Sequence, residues 1–212
     1  MTGRLLVYTR TGGYRHDSIP AGVAAIGELG FTVDHTEGDL ARLDRYDAVV
    51  FLSTSGNVLS EADKAALVSY LGTGGGWLGI HAAATTEYDW PWFGDLVGAR
   101  FDQHPPVQTA TMTVERRDHP ATRHLAARWT WRDEWYAFRA DPRDTVNVLL
   151  SVDESTYQGG TMGAGHPIAW CREFGGGRSF YTALGHTSAG FADPAMRQHL
   201  AGAVRWLTGQ SR

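Results

Sequence analysis

The chain has nine histidines and a single cysteine. The histidines that could do chemistry sit among glycines and small polar residues. His81 stands in Gly79-Ile80-His81-Ala82-Ala83. Small neighbours let a strand turn sharply into a helix, which is how a nucleophile elbow presents Ser or Cys. With His at that place, acyl-enzyme chemistry has no support. General acid or base, metal ligand and substrate hydrogen bonder remain open. His16 precedes a helix start, and His186 follows Ala183-Leu184-Gly185 ahead of Thr187-Ser188. Both could face the same cleft as His81. His104, before Pro105-Pro106, is a turn residue or a cleft wall, and His166 ends the glycine-rich loop over 159–165. His35, His119, His124 and His199 read as surface or packing residues.

Asp133-Glu134-Trp135-Tyr136 is the other unusual string. Adjacent carboxylates on a strand point to opposite faces, so at most one can share a cleft with His81. Glu134 is the candidate. Trp135 and Tyr136 beside it suit a sugar, whose apolar ring faces stack on aromatics while the acid takes hydroxyls. The run Tyr88-Asp89-Trp90-Pro91-Trp92-Phe93 could add further walls. His81, Glu134, His16 and His186 are therefore the catalytic candidates. Arg10, Thr11, Gly12, Gly13, Ser55, Trp135, Tyr136, His104 and His166 are the binding candidates. No helix carries a His-x-x-x-His pair, so a divalent metal could be held only if distant His and Glu side chains converge. Gly72 to Gly76 precedes a strand instead of opening a helix, which makes it a helix terminator and not a phosphate loop.

The elements that must position these residues follow from periodicity. Leu5 to Tyr8, Phe31 to His35, Tyr46 to Leu52 and Trp77 to Ile80 read as strands. A helix is expected over 19–29 with Ser18 as its cap, and another after the capping-box start Ser60-Glu61-Ala62-Asp63. This βαβ rhythm predicts an α/β fold with a parallel, doubly wound sheet. Alternating runs at Val107–Val114, Trp129–Trp135, Val146–Val152, Ile168–Phe174 and Ser179–Ala183 predict antiparallel additions in the second half. Asp193 and Pro194 open a last helix with a stripe of Met196, Leu200, Ala203, Val204 and Leu207. Ligands of such sheets bind beyond the carboxyl ends of the strands. That selects the loops holding Arg10 to His16, Ser53 to Asn57 and His81.

The 212 residues carry a formal charge of −4 and are 42% hydrophobic. They fit one domain over 1–212 with a full core. The mild acidity, with no long basic run, gives a nucleic-acid or anionic membrane partner little electrostatic support. No apolar run spans a bilayer and no signal stretch opens the chain, so a cytoplasmic protein is expected. Cys171 lies in an alternating strand pattern and reads as a small buried hydrophobe. The aromatic segments Trp90–Phe93 and Trp129–Trp135 could serve a homo-oligomer as readily as a pocket.

Taken together, Thr9-Arg10-Thr11-Gly12-Gly13-Tyr14-Arg15-His16-Asp17-Ser18, Gly75 to Ala83, Glu134-Trp135-Tyr136, His166-Pro167-Ile168-Ala169-Trp170 and Leu184-Gly185-His186-Thr187 resemble the ThuA-like (trehalose utilisation) family over nearly the whole chain. The resemblance implies a flavodoxin-like, class I glutamine amidotransferase-like three-layer sandwich. It also implies a role with trehalose or a related, including oxidised, glycoside, as an enzyme or as a non-catalytic sugar-binding module. The amidotransferases' cysteine would fall where this chain has His81, so glutamine hydrolysis is not expected.

Overall fold

The computed structural model describes residues 3–210. Its main sheet has nine strands. In chain order these are β1 (Arg4–Tyr8), β2 (Thr32–Thr36), β3 (Ala48–Leu52), β4 (Gly76–Ile80), β6 (Gln108–Val114), β7 (Arg128–Asp133), β9 (Asn147–Val152), β10 (His166–Phe174) and β11 (Gly177–Thr182). A separate pair joins β5 (Phe101–Gln103) to β8 (Ala137–Phe138). The strand order β2-β1-β3-β4-β11-β10-β9-β6-β7 divides the sheet into two halves. Strands β2, β1, β3, β4 and β11 run parallel. The remaining pairs are antiparallel. Every residue of β3 and β4 is buried, as expected of parallel strands covered on both faces.

The helices are α1 (Ile19–Gly27), α2 (Glu61–Gly72), α3 (Pro91–Val97), α4 (Ser188–Ala192) and α5 (Pro194–Leu207). The step from β1 to β2 goes one way across the sheet, and the step from β3 to β4 goes the other. Right-handed crossovers therefore put α1 and α2 on opposite faces. Helices α1, α4 and α5 pack on one another, while α2 and α3 contact β11. The capping box of α2 forms: Ser60 Oγ accepts from the Asp63 N–H, and the Asp63 carboxylate accepts from the Ser60 N–H at 3.0 Å. Asp193 caps α5 through the Ala195 N–H at 2.7 Å.

Two local expectations change. Ser18 sits at the cap position of α1 but makes no cap bond; its hydroxyl donates instead to the Gly185 carbonyl at 3.0 Å, tying α1 to the loop after β11. The helix ends at Gly27, two residues early. The short helices α3 and α4 and the β5–β8 pair lie in segments too short or too aromatic for a periodic signal. Among the described residues, no helix is long and apolar enough to cross a membrane.

Candidate functional site

Each side chain of the site arrives at one rim of the sheet from a different strand. The loop after β1 brings His16, the turn after β4 brings His81, and the loop after β11 brings His186. These are carboxyl ends of parallel strands, where ligands of open α/β sheets bind. Strand β7 lies four antiparallel steps from β11 and so runs in the same direction as β11. Its carboxyl end delivers Asp133 and then Glu134 to the same rim.

The backbone fixes these positions closely. The Gly12 and Gly13 N–H groups donate to the Ser55 carbonyl, and Ser55 Oγ donates to the Tyr14 carbonyl at 2.7 Å. Gly56 makes this meeting of loops feasible. Its φ is +72°, and a Cβ there would stand 2.8 Å from the Gly13 nitrogen. His81 itself has φ +52°, a left-handed conformation uncommon for a non-glycine residue and of the kind that clusters at functional sites. Its carbonyl accepts from the Tyr181 hydroxyl at 2.8 Å, which helps hold that backbone.

His81 is not presented to solvent by its turn. It is fully buried, with the Tyr136 ring stacked on it at 4.3 Å. Its Nδ1 lies 2.7 Å from the Ala183 carbonyl, an acceptor, so in the neutral imidazole Nδ1 carries the proton and Nε2 a free lone pair. That Nε2 is 3.1 Å from His16 Nε2 and 3.4 Å from Glu134 Oε2. His186 Nδ1 stands 3.2 Å from the same Oε2, and His104 Nδ1 3.1 Å from Oε1. One donor atom from each of His16, His81, Glu134 and His186 lies within 4.8 Å of all the others.

Crowding sets the charge states. Burial, then the neighbouring His81 and His186, push the His16 imidazole down to about 3. For Glu134, burial alone would raise the carboxyl. Contact with His186 and His81 outweighs it and holds the group well below the usual carboxylate range. His186 is raised above its ordinary value by the Glu134 carboxylate, against the effect of its own burial.

Above this cluster is a cavity of about 610 Å³. Tyr14, Tyr88, Phe101 and Tyr136 give it aromatic walls, with His16, His104, Glu134 and His186 among its polar lining and neither Lys nor Arg. A larger groove of about 830 Å³ opens at the amino ends of β4 and β11, lined by Gly74 to Gly76 and Gly175 to Gly177. Its lining includes no histidine or cysteine.

Of the residues singled out for binding, Gly13, Ser55, Tyr136 and His104 line the cavity. Arg10, Thr11 and Gly12 do not: Arg10 is exposed outside the cavity lining, Thr11 bridges to Ser55, and Gly12 spends its N–H on the Ser55 carbonyl. Trp135 turns into the core and donates its Nε1–H to the Gln108 carbonyl at 3.0 Å. His166 is buried at the start of β10, where its Nε2 meets the Tyr136 carbonyl at 2.8 Å and its Nδ1 meets Glu154 Oε1 at 2.8 Å. Asp133, which strand alternation sets on the opposite face from Glu134, is the hub beneath the site. Its carboxylate accepts from the N–H groups of Glu134, Gly185 and His186 and from Trp131 Nε1–H, at 2.9–3.0 Å.

The model of the family described as ThuA, trehalose utilisation, matches residues 4–207. The chain belongs to the ThuA family. A protein of Bacteroides uniformis assigned as ThuA-like is 27% identical, with a TM-score of 0.80 over 97% of this chain and 91% of that one. A second ThuA-like structure, from Parabacteroides merdae, is 19% identical with a TM-score of 0.81, covering 99% and 91%. The fold extends to a Thermoplasma acidophilum protein assigned to GMP synthase, with 15% identity and a TM-score of 0.61 over 99% and 96%. No curated protein matches this chain. ThuA membership thus accompanies an amidotransferase-like α/β fold in which His81 follows β4, while the lone Cys171 is buried in β10 with its thiol pushed up to about 12 by burial.

Proposed function

We propose that this ThuA-family protein is an enzyme of carbohydrate metabolism, acting on trehalose or a related neutral glycoside at the cavity above His16, His81, Glu134 and His186. The observation that carries this reading is the convergence of three imidazoles and one carboxylate, from four distant segments, on the floor of an aromatic-walled cavity. Aromatic faces suit the apolar faces of a sugar ring, and a few convergent polar groups orient it. The absence of Lys and Arg from the lining favours uncharged sugars over sugar phosphates.

In this reading Glu134 and His104 handle protons at the cavity surface, with Glu134 ionised at neutral pH and able to accept one. His16 and His186 bind a polar group of the substrate. His81, without exposed surface, acts through His16 and Glu134 and not by touching the sugar. Glutamine hydrolysis has no thiolate to work with at the tip of β4.

The test is turnover and affinity measured together. Wild-type protein is assayed on trehalose and on 3-keto-glycosides by reducing-sugar release, alongside Glu134→Gln and His186→Asn. Turnover that falls by at least about 100-fold in Glu134→Gln, in a folded protein, supports the reading. Sugar affinity without turnover would make the protein a binding module, and neither would remove the carbohydrate reading.

A further inference from the structure

We infer that His16, His81, His186 and Glu134 form a binding site for one divalent first-row transition-metal ion, open on its cavity side. The inference builds on the reading of this cluster as the working centre, and it stands on geometry independent of the sugar.

The first observation is how the donor atoms fail to pair. His81 and His186 each place a ring nitrogen 3.2–3.4 Å from Glu134 Oε2, yet neither contact has hydrogen-bond alignment. Charge-assisted pairs close to about 2.7–2.9 Å when nitrogen and oxygen aim at one another. His186 Nδ1, the donor atom next to Glu134, is buried without any hydrogen-bond partner. Buried polar atoms are nearly always satisfied, so this orphan within the cluster calls for an absent partner.

The second observation is spacing. With bonds of about 2.1 Å, neighbouring donors on one ion stand about 3.0 Å apart in an octahedron and about 3.4 Å apart in a tetrahedron. The closest separations here are 3.1, 3.2 and 3.4 Å. A trans pair would span about 4.2 Å, and no pair in the cluster exceeds 4.8 Å. Shifts of a few tenths of an ångström would close the set on one ion.

Third, the supporting shell suits ligation. The Ala183 carbonyl takes the Nδ1 proton of His81 and leaves Nε2 as the free donor, the arrangement that fixes a ligating histidine. Asp133 holds the backbone of both Glu134 and His186. Charge agrees as well: three neutral imidazoles and a carboxylate sum to −1 in a buried site, which a divalent cation offsets. A donor set dominated by imidazole selects zinc, manganese, iron, cobalt or nickel over magnesium and calcium, which prefer oxygen. His81 closes the site from beneath, while His16, Glu134 and His186 face the cavity. The open position therefore meets the substrate, where such an ion polarises a carbonyl or hydroxyl oxygen or lowers the pKa of a bound water.

The experiment uses the full chain without a polyhistidine tag, grown with all five metals supplied. Elemental analysis of the purified protein should find about one ion per chain. After chelation, titration with Co²⁺ should give visible ligand-field bands and a raised melting temperature. Glu134→Gln and His186→Asn should weaken Co²⁺ binding at least about 100-fold while keeping the far-UV spectrum, and His35→Ala, outside the cluster, should bind as wild type. Should His81→Asn fail to fold, those two cavity-facing variants carry the test. Less than about 0.1 ion per chain, with no cobalt bands and no thermal shift, would overturn the inference. So would variants that bind as tightly as wild type. Sugar turnover by wild-type protein that takes up no ion overturns the metal site and spares the proposed function; a bound ion with neither sugar affinity nor turnover does the reverse.

Discussion

Four N–H groups converge on the Asp133 carboxylate, two of them from the loop that carries His186 and one from Glu134 itself. Replacing it with Asn keeps the shape but points an amide NH₂ at donors that need an acceptor. Leaving a buried donor unsatisfied costs about 1–3 kcal/mol. Asp133→Asn should therefore lower the melting temperature by roughly 3–10 °C for a chain of this size. It should also weaken ligand or Co²⁺ binding without removing a ligand atom. Calorimetry and titration on the same sample check both, and an unchanged melting temperature would mean that the four bonds are not needed. That Asp133 is invisible in the sequence has a plain cause. Alternation along a strand says that Asp133 and Glu134 face opposite ways, and it says nothing about what waits on the far side. His81 and His186 are legible as candidates because each follows a strand end with small residues around it, His16 because it precedes a helix start, and Glu134 because a carboxylate stands beside two aromatics. The burial of His81 is not, since it depends on Tyr136, from a distant segment, closing over the ring.

The elements succeed or fail by whether their signal is local. The capping box of α2 and the Asp193–Pro194 start of α5 are written within a few neighbouring residues and form as read. Ser18 carries the same kind of signal, but its backbone is already helical (φ −76°, ψ −13°), so its oxygen does not accept at the cap position, and its hydroxyl donates to the Gly185 carbonyl. The pairing of β5 with β8 links segments far apart in the chain and has no local mark. The most consequential long-range contact is the loop after β1 lying on the loop after β3. There Gly56 has a left-handed backbone, and a Cβ on it would stand only 2.8 Å from the Gly13 nitrogen. Gly56→Ala should cost about 1–3 kcal/mol from backbone strain alone. Because the two loops must separate, His16 should shift away from His81 as well. The expected signature is a lower melting temperature together with weakened metal and sugar binding, though no catalytic side chain has been changed. A variant that melts lower but binds as wild type would show that the His16 position is set by α1 instead.

Across the whole molecule the histidines act together on stability. Burial is the first cause lowering His16, His119, His124, His166 and His199, while only His186 is raised. A histidine lowered in the folded state binds its proton more readily when unfolded. Between the folded and unfolded values the unfolded chain then holds more protons, so stability rises with pH through that window. His186 works the other way, but it is one group against five. His199 is the clearest case. It is fully buried on α5, its Nδ1 is 2.9 Å from the Ala121 carbonyl, and burial pushes it down to about 4. Its stabilising contribution is complete above the ordinary value near 6.5 and fades as pH falls from there toward 4, by an amount of order 3 kcal/mol or less. Urea midpoints should therefore fall measurably between pH 7 and pH 5, above the range where carboxylates begin to protonate. His199→Asn keeps an N–H for the Ala121 carbonyl and removes the titration, so its midpoints should decline less steeply over the same interval. Parallel declines in wild type and variant would place the acid sensitivity elsewhere than in the packing of α5 against the sheet.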